Sequence, residues 1–242
     1  MTDATAVDVI LLDIEGTTTP VDYVFGVLFP FAKEHVAEFL QTQGHEPAVQ
    51  ADLSLLRQDY EADRAANLPV PDWNAPQPEA AVSYIHYLIA VDRKSTGLKS
   101  LQGKIWNQGY QDGTLKSQVF PDVQPAFERW RNAGKKLYIF SSGSVQAQKL
   151  LFRYSKAGDL TAFLSGYFDT QTGAKKEPSS YQKIAAAIGV SPPQILFISD
   201  IVAELQAAKA AGMQTLFSLR PGNSSSNSER FATVRSFDEV LQ

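Results

Sequence analysis

The stretch VDVILLDIEGTTTP, residues 7–20, decides the fold. It begins as a short run of Val, Ile and Leu, which is typical of a buried strand in a parallel sheet. The run ends at Asp13 and Glu15, two acids that a Gly-Thr-Thr turn follows. Side chains two positions apart in an extended chain leave on the same side, so these acids form a compact cluster of negative oxygens. Such a cluster predicts a hard divalent cation.

Three later apolar runs also read as strands. They cover residues 136–140, which end at Ser141-Ser142-Gly143-Ser144, residues 195–198, which end at Ser199-Asp200, and residues 213–217. Helical patterns separate them, over residues 121–133, 145–156, 179–188 and 202–211. This alternation predicts an α/β fold with a doubly wound, Rossmann-like parallel sheet. Ligands of such sheets bind at the carboxyl ends of the strands, so the polar strand ends are expected to share one crevice.

Residues 21–118 interrupt that alternation. Long amphipathic patterns occur over 24–40, 49–65 and 80–92, with no strong strand run between them. We therefore predict a core domain formed by 1–20 and 119–242 and a helical cap domain formed by 21–118, inserted after the first strand where it can cover the site. The Ser- and Asn-rich stretch 221–229 predicts a solvated loop.

Composition excludes several classes of protein. The 242 residues are 44% hydrophobic and 20% charged, which argues for a globular core and against disorder. The net charge of −4 argues against a nucleic-acid partner, and the lack of cysteine excludes disulfides and thiolate sites. No apolar run reaches the roughly 18 to 20 residues of a membrane span, and no signal peptide is evident, so we expect a cytoplasmic protein without a membrane partner.

The acids at the strand ends point to phosphoryl transfer. Asp13 is placed to attack phosphorus, which splits the reaction into an aspartyl-phosphate step and its hydrolysis. Two anions must then meet, which calls for Mg²⁺ between them, and Asp200 is placed to supply a second carboxylate. Glu15 is placed to protonate the leaving oxygen and later to activate water.

Phosphate oxygens also need donors and positive charge. Ser141, Ser142 and Gly143 occupy a strand-to-helix turn, where hydroxyls and backbone N–H groups bind anions. Lys175 or Lys176 is expected to supply the positive charge. Each motif alone has an ordinary explanation as a helix cap, a turn or a solvated surface. Their order, with every one at a strand end or an adjoining loop, favours a phosphatase.

The same residues resemble the haloacid dehalogenase superfamily and, within it, the acireductone synthase (enolase-phosphatase) family of methionine salvage. The superfamily usually has Asp-x-Asp in the first motif, whereas the narrower family has Glu at the second acid, as Glu15 is here. The resemblance covers most of the chain. It is carried by residues 11–20, 138–145, 147–152, 92–94, 101–103, Trp106, 168–170 with Lys175, and Arg220-Pro221-Gly222-Asn223.

The resemblance implies a Mg²⁺-dependent enzyme that enolises 2,3-diketo-5-methylthiopentyl 1-phosphate and then removes its phosphate to give an acireductone. It implies that Asp13 through its side chain, Glu15 through its backbone carbonyl and Asp200 bind the metal. It further implies that Ser141, Ser142 and Lys175 hold the substrate, with Lys175 favoured over Lys176 by motif register. The partner is then a small phosphorylated diketone, and a monomer is expected because the site needs no second subunit.

The residues themselves leave two questions open. The enolisation base is unassigned, with Glu15 and Lys175 the nearest candidates. Aromatic side chains of the insert either exclude water and contact the methylthio tail or simply form its core. They are Tyr23, Phe25, Phe29 and Trp106.

Three other functions compete with this interpretation. A dehalogenase that attacks carbon without a metal is disfavoured by Glu15 and Asp200. A binding protein without catalysis would be expected to lack Asp13. A capped Mg²⁺-dependent phosphatase of another small ester shares every core residue, so only the longer resemblance separates it.

Overall fold

A computed structural model describes residues 7–223 and 231–241 of the chain. The chain forms two compact units, one of Met1–Val24 with Lys116–Gln242 and the other of Phe25–Leu115. We call the first the sheet unit and the second the helical unit. The loop predicted over 221–229 lies outside the described residues from position 224 onward.

The sheet unit is built on a six-stranded, wholly parallel sheet of order β3-β2-β1-β4-β5-β6. The strands are β1 (Val9–Leu12), β2 (Lys136–Phe140), β3 (Leu164–Phe168), β4 (Ile195–Ser199), β5 (Gln214–Ser218) and β6 (Thr233–Val234). Its helices are α1 (Val21–Tyr23), α6 (Val123–Asn132), α7 (Val145–Arg153), α8 (Pro178–Ile188) and α9 (Val202–Ala210). The α/β, doubly wound fold class predicted from the sequence is confirmed.

Both faces of β1 are buried, which explains why this strand has no polar residue. Ile10 and Leu12 pack on one side in a cluster with Trp130 of α6. Val9 and Leu11 pack on the other side in a cluster with Tyr181 of α8. A strand covered on both faces is fixed in register by its side chains, and this holds its carboxyl end in place.

Strands β3 and β6 were not recognised in the sequence. The motif of β3, LSGYF, contains Gly166, and its residues are only partly buried or exposed, so it lacks the apolar signature of a central strand. The reason for the glycine is visible in the sheet, because a Cβ on Gly166 would stand 2.9 Å from the ring of Tyr138 on β2. Strand β6 has only two residues.

The helical unit contains α2 (Phe29–Gln43), α3 (Pro47–Ala65), α4 (Val82–Ala90) and α5 (Thr96–Gln111). A π-helical turn, Val24–Leu28, precedes α2. Buried acids of α3 tie the unit together, since Asp63 accepts hydrogen bonds from Tyr84 and Arg93, and Asp52 pairs with Lys104 at 2.5 Å. No helix among the described residues combines the length and the apolar character needed to cross a membrane.

The four aromatic residues singled out in the insert differ in exposure. Phe25 is 54% exposed, whereas Tyr23 is buried. Phe29 meets Phe25 edge to face and stacks on Trp106. The Trp106 ring is buried, and its Nε1 donates to the Leu28 carbonyl at 2.8 Å. Trp106 and Phe29 are therefore packed within the helical unit, and Phe25 has an accessible ring.

Candidate active site

The register of the sheet brings the three polar strand ends together. Leu12 of β1 lies opposite Ile139 of β2 and Ile198 of β4. The next residue on β1 is Asp13, so it lies between the loop after β2 and the end of β4. Its backbone N–H continues the ladder by donating to the Ile198 carbonyl at 3.0 Å.

The chain turns back sharply after Asp13. The Ile14 carbonyl accepts hydrogen bonds from the N–H groups of Thr17, Thr18 and Thr19. Gly16 stands in this turn with φ of +65°, a conformation that favours glycine. The Asp13 side chain is 4% exposed, and the Ile14 N–H donates to its Oδ1 at 2.7 Å. The nucleophile candidate is thus held rigidly on a buried strand end.

Lys175 is the lysine that meets Asp13. Its Nζ lies 2.7 Å from Asp13 Oδ1 and 2.7 Å from Glu204 Oε2, whereas Lys176 is exposed. Burial lowers the pKa of Lys175, but the charges of Asp13 and Glu204 and their hydrogen bonds outweigh it and hold that pKa above its usual value. Lys175 is therefore an ammonium at neutral pH. Tyr181 of α8 donates to its backbone carbonyl at 2.7 Å, which anchors the loop.

Glu204 is a buried acid that sequence reasoning missed. Burial, followed by the negative charge of Asp13, raises its pKa to about 8. The Ser199 oxygen lies 3.0 Å from Asp13 Oδ2 and 3.1 Å from Glu204 Oε2. Ser199 has a single hydroxyl hydrogen, so it donates to one carboxylate only. The Ser199 hydroxyl therefore lies between the two carboxylates, both of which also contact the Lys175 ammonium.

Asp200 follows Ser199 and completes the acidic edge. Its pKa is raised to about 7, first by burial, then by the charge of Asp13, with a smaller contribution from Glu15. Its carboxylate lies directly against Gly16, where a Cβ would collide with it. The close approach of this carboxylate is a second reason for glycine at this position.

The negative charge of Asp13 and Asp200 favours binding of a divalent cation. The charge of Asp13 raises the pKa of Asp200, and the Lys175 ammonium is already shared with Glu204. Within residues 7–223 and 231–241, no three His, Cys, Asp or Glu side chains are grouped as a ready-made metal site. The metal site predicted from the sequence differs from such a group, because it uses only two carboxylates and takes its third oxygen from the backbone of Glu15.

The loop after β2 is braced from β3 and α7. The Ser141 N–H donates to the Phe168 carbonyl, and the Gly143 N–H donates to Ser141 Oγ at 3.2 Å. Gln148 of α7 donates to the carbonyls of Gly143 and Phe168 at 2.8 and 2.9 Å. Ser141 is buried and Ser142 is half-buried. Because Ser141 Oγ accepts in this contact, its own hydrogen can be donated to an anion.

Two functional candidates escaped the sequence analysis for different reasons. Glu204 lies in the first turn of α9, where an acid is ordinarily explained by the helix dipole. The sequence does indicate Glu204 through its spacing from Asp200. A residue four positions later, in the first turn of the following helix, can point its side chain back to the end of the strand. Ser199 looked like plain turn chemistry next to Asp200.

Comparison with known proteins identifies the family. Residues 7–212 match the model of haloacid dehalogenase-like hydrolases. Enolase-phosphatase E1 of Synechococcus elongatus is 61% identical over 235 residues, which cover 97% of this chain and 98% of that protein. This chain belongs to the enolase-phosphatase E1 family. A further relative, enolase-phosphatase E1 of Pseudomonas fluorescens, is 48% identical over 97% of each chain.

Solved structures agree with this family. The crystal structure of the UTR4 protein of Saccharomyces cerevisiae superposes with a TM-score of 0.79 at 33% identity, covering 97% of this chain and 100% of that chain. A phosphatase from Thermococcus onnurineus, with a TM-score of 0.59 at 18% identity, shares the fold alone. The family resemblance drawn from the sequence is confirmed, and so is the assignment as an enolase-phosphatase, a phosphoric monoester hydrolase. The family points to a divalent metal and a small phosphorylated substrate.

The buried acid Glu204 makes stability depend on pH in the metal-free protein. Its pKa rises from an ordinary 4.5 to about 8 on folding, so the folded protein holds a proton that the unfolded chain releases. The resulting stabilisation is complete below the lower value and is lost as pH rises through the higher one. The glutamine of the Glu204→Gln variant does not titrate. The free energy of unfolding of this variant should therefore increase relative to that of the wild type as the pH rises from about 5 to about 9.

Urea unfolding in chelator at several pH values measures this difference. Glu128→Gln, at an exposed glutamate of α6, is the matched control and should differ from the wild type by the same amount at every pH. If the Glu204→Gln and wild-type curves stay parallel, Glu204 does not carry the proton.

Proposed function

We propose that this protein is a Mg²⁺-dependent enolase-phosphatase that converts 2,3-diketo-5-methylthiopentyl 1-phosphate to an acireductone in methionine salvage. The observation that carries the proposal is the buried contact of the Asp13 carboxylate with the Lys175 ammonium, 2.7 Å apart at the carboxyl end of the central strand. A carboxylate nucleophile with a fixed cation beside it is what attack on a phosphate ester requires. The 61% identity to an enolase-phosphatase E1 supports the substrate.

In this proposal, Asp13 is the nucleophile and Lys175 is its electrostatic partner. Asp13 attacks phosphorus, the ester oxygen leaves, and the aspartyl-phosphate is then hydrolysed. Lys175 offsets the repulsion between carboxylate and phosphate, and Glu204 and Tyr181 support its position. Ser141 and Ser142, on the braced loop beside β1, bind the phosphate oxygens.

Asp13, the Glu15 backbone carbonyl and Asp200 would hold Mg²⁺. When bound, the ion would supply charge neutralisation between the nucleophile and the phosphate and polarise the oxygens of the diketone. The negative charge that Asp13 and Glu15 exert on Asp200 supports this assignment, since a divalent cation would relieve it.

The enolisation base is better assigned to Glu15 than to Lys175. Lys175 has a raised pKa and stays protonated at neutral pH, so it has no lone pair with which to remove a proton. Glu15 is only half-buried at the open end of the sheet, and its side chain is not needed if the metal takes its carbonyl. Glu15 then removes the proton alpha to the carbonyl and later protonates the ester oxygen that leaves.

We further propose that the helical unit acts as a cap, and that the enzyme acts as a cytoplasmic monomer. The unit is inserted between β1 and the rest of the sheet unit, so the chain enters and leaves it near residues 24 and 115. The exposed Phe25 ring is the best candidate for contact with an apolar methylthio tail. A monomer suffices because Asp13, Lys175 and Glu204 come from one chain.

Asp13→Asn should reduce phosphate release by roughly 10⁴-fold or more, because the amide keeps the shape of the side chain and loses its nucleophilic charge. Stopped-flow ultraviolet absorbance follows the enol, and a colorimetric assay follows phosphate. Asp8→Asn, exposed at the opposite end of the same strand, is the control and should retain activity. Phosphate release without an enol signal in the wild type would leave a phosphatase of another small ester. Full activity in excess chelator would exclude the metal.

Lys175 and Lys176 form an adjacent matched pair. Lys175→Met should lower kcat by roughly 10²–10³-fold, because it removes a buried charge at the reacting phosphate. Lys176→Met should leave kcat unchanged, because its ammonium lies on the surface. Steady-state kinetics with the diketone phosphate measure both. Equal losses in the two variants would contradict the role of Lys175.

Phe25→Ala tests the contact with the methylthio tail. If the exposed ring binds the tail, the variant should lose most of the preference for the natural substrate over an analogue that lacks the methylthio group. The ratio of kcat/KM for the two substrates measures this preference. Val91→Ala removes another exposed apolar side chain of the helical unit and should leave the ratio unchanged. An unaltered ratio in Phe25→Ala would refute the contact.

A further inference from the structure

The segment after β5 returns to the turn that follows Asp13. Ser218 Oγ and Asn223 Nδ2 both donate to the Gly16 carbonyl, at 3.0 and 2.9 Å. Arg220 Nε donates to the neighbouring Thr17 carbonyl at 3.2 Å. Two consecutive carbonyls of the turn are therefore held from the same segment. The motif Arg220-Pro221-Gly222-Asn223 had no role in the reaction proposed above.

The orientation of the Asn223 amide follows from its partners. Its Nδ2 lies 2.9 Å from the Gly16 carbonyl and 3.3 Å from the Ser218 carbonyl. Carbonyl oxygens only accept, so the amide cannot be reversed, and Oδ1 must point the other way. Asn223 Oδ1 is buried and meets no donor among residues 7–223 and 231–241. An acceptor left in that state costs about 1–3 kcal/mol, so it calls for a partner that binds there.

Asn223 Oδ1 faces the same spot as the Asp200 carboxylate. A Cβ built on Gly16 would collide with the Asp200 carboxylate and stand 2.9 Å from Asn223 Oδ1. Both oxygens approach the position that a Gly16 Cβ would take, so Asn223 Oδ1 lies beside the Asp200 carboxylate. A water molecule bound to a cation at Asp200 could donate a hydrogen to Asn223 Oδ1.

We propose that Asn223 is an outer-sphere ligand of the divalent metal, and that its Oδ1 accepts a hydrogen bond from a metal-bound water beside Asp200. This inference rests on the metal site of the proposed function. It adds a residue from the segment after β5 to a site otherwise formed by residues that follow β1 and β4.

A purely structural role for Asn223 would be redundant. Ser218 already holds the Gly16 carbonyl. Arg220 is itself fixed, because its Nη1 pairs with Asp122 at 2.7 Å and its guanidinium lies 4.6 Å from the centre of the Phe120 ring and 4.4 Å from that of Phe237. The turn therefore keeps these contacts without Asn223, whereas the free Oδ1 has no substitute.

Mn²⁺ binding to the full-length protein tests the proposal without substrate. The electron paramagnetic resonance signal of free Mn²⁺ gives the dissociation constant during a titration. Asn223→Ala should weaken binding by about 10-fold or more, the usual cost of removing an outer-shell partner. Ser218→Ala is the matched control. It removes the other donor to the Gly16 carbonyl and leaves Asn223 in place, so binding should stay within about two-fold of the wild type.

Asn223→Asp is a second variant, which separates loss of the acceptor oxygen from a folding defect in Asn223→Ala. It loses the amide donor and keeps an acceptor oxygen, so Mn²⁺ should bind at least as tightly as to the wild type. Wild-type affinity in Asn223→Ala would overturn the proposal, as would an equal loss in Ser218→Ala or a 10-fold loss in Asn223→Asp. If the wild type itself does not bind Mn²⁺, the metal site of the proposed function fails and this inference fails with it.

Discussion

The buried pair of Asp13 and Lys175, with Glu204 in contact with the same ammonium, is the interaction on which the rest of the site depends. Burying charges is costly, and pairing them seldom yields a net gain in stability, so such a cluster is poor evidence for a stabilising role. Removing one partner of a buried pair typically costs 3–5 kcal/mol, because a charge is left uncompensated. The lysine is thereby held in one place. A fixed ammonium beside a carboxylate is costly for folding and useful for catalysis.

The parallel sheet explains how distant residues reach that cluster. Asp13 extends β1, Ser199 ends β4, and the two strands pair directly. Lys175 comes from the loop before α8, whose Tyr181 both holds the lysine backbone and packs under the sheet. The apolar faces of the strands therefore set the position of the polar groups at their ends. A change in register would displace Asp13 from Ser199.

Much of the fold and part of the site were predictable because their signals are local. The apolar runs of β1, β2, β4 and β5 and the acid that follows β1 stand out in the sequence. Lys175 and Lys176 are chemically equivalent in sequence, and only the family register favoured the first. Strand β3 was missed because it contains Gly166. The Tyr138 ring on the neighbouring strand leaves no room for a side chain there, and the local sequence does not reveal such a contact. Helix α5 contains three glycines and was not predicted, for a similar reason. A Cβ on Gly97 or Gly109 would collide with atoms of neighbouring helices, and these contacts lie far away in sequence.

Glu204 and Asp200 show two ways of balancing excess negative charge at one strand end. Without a metal, protons do so, because burial and the charge of Asp13 raise the pKa of Asp200 to about 7 and that of Glu204 to about 8. In the proposed metal site, a cation between Asp13 and Asp200 would remove the reason for the proton on Asp200, since metal ligation and protonation of a carboxylate compete. Glu204 is tied instead to Lys175 and Ser199, and both of these also contact Asp13. The two acids, four residues apart, thus differ in their surroundings: a divalent cation would replace the proton on Asp200, whereas Glu204 is held by Lys175 and Ser199.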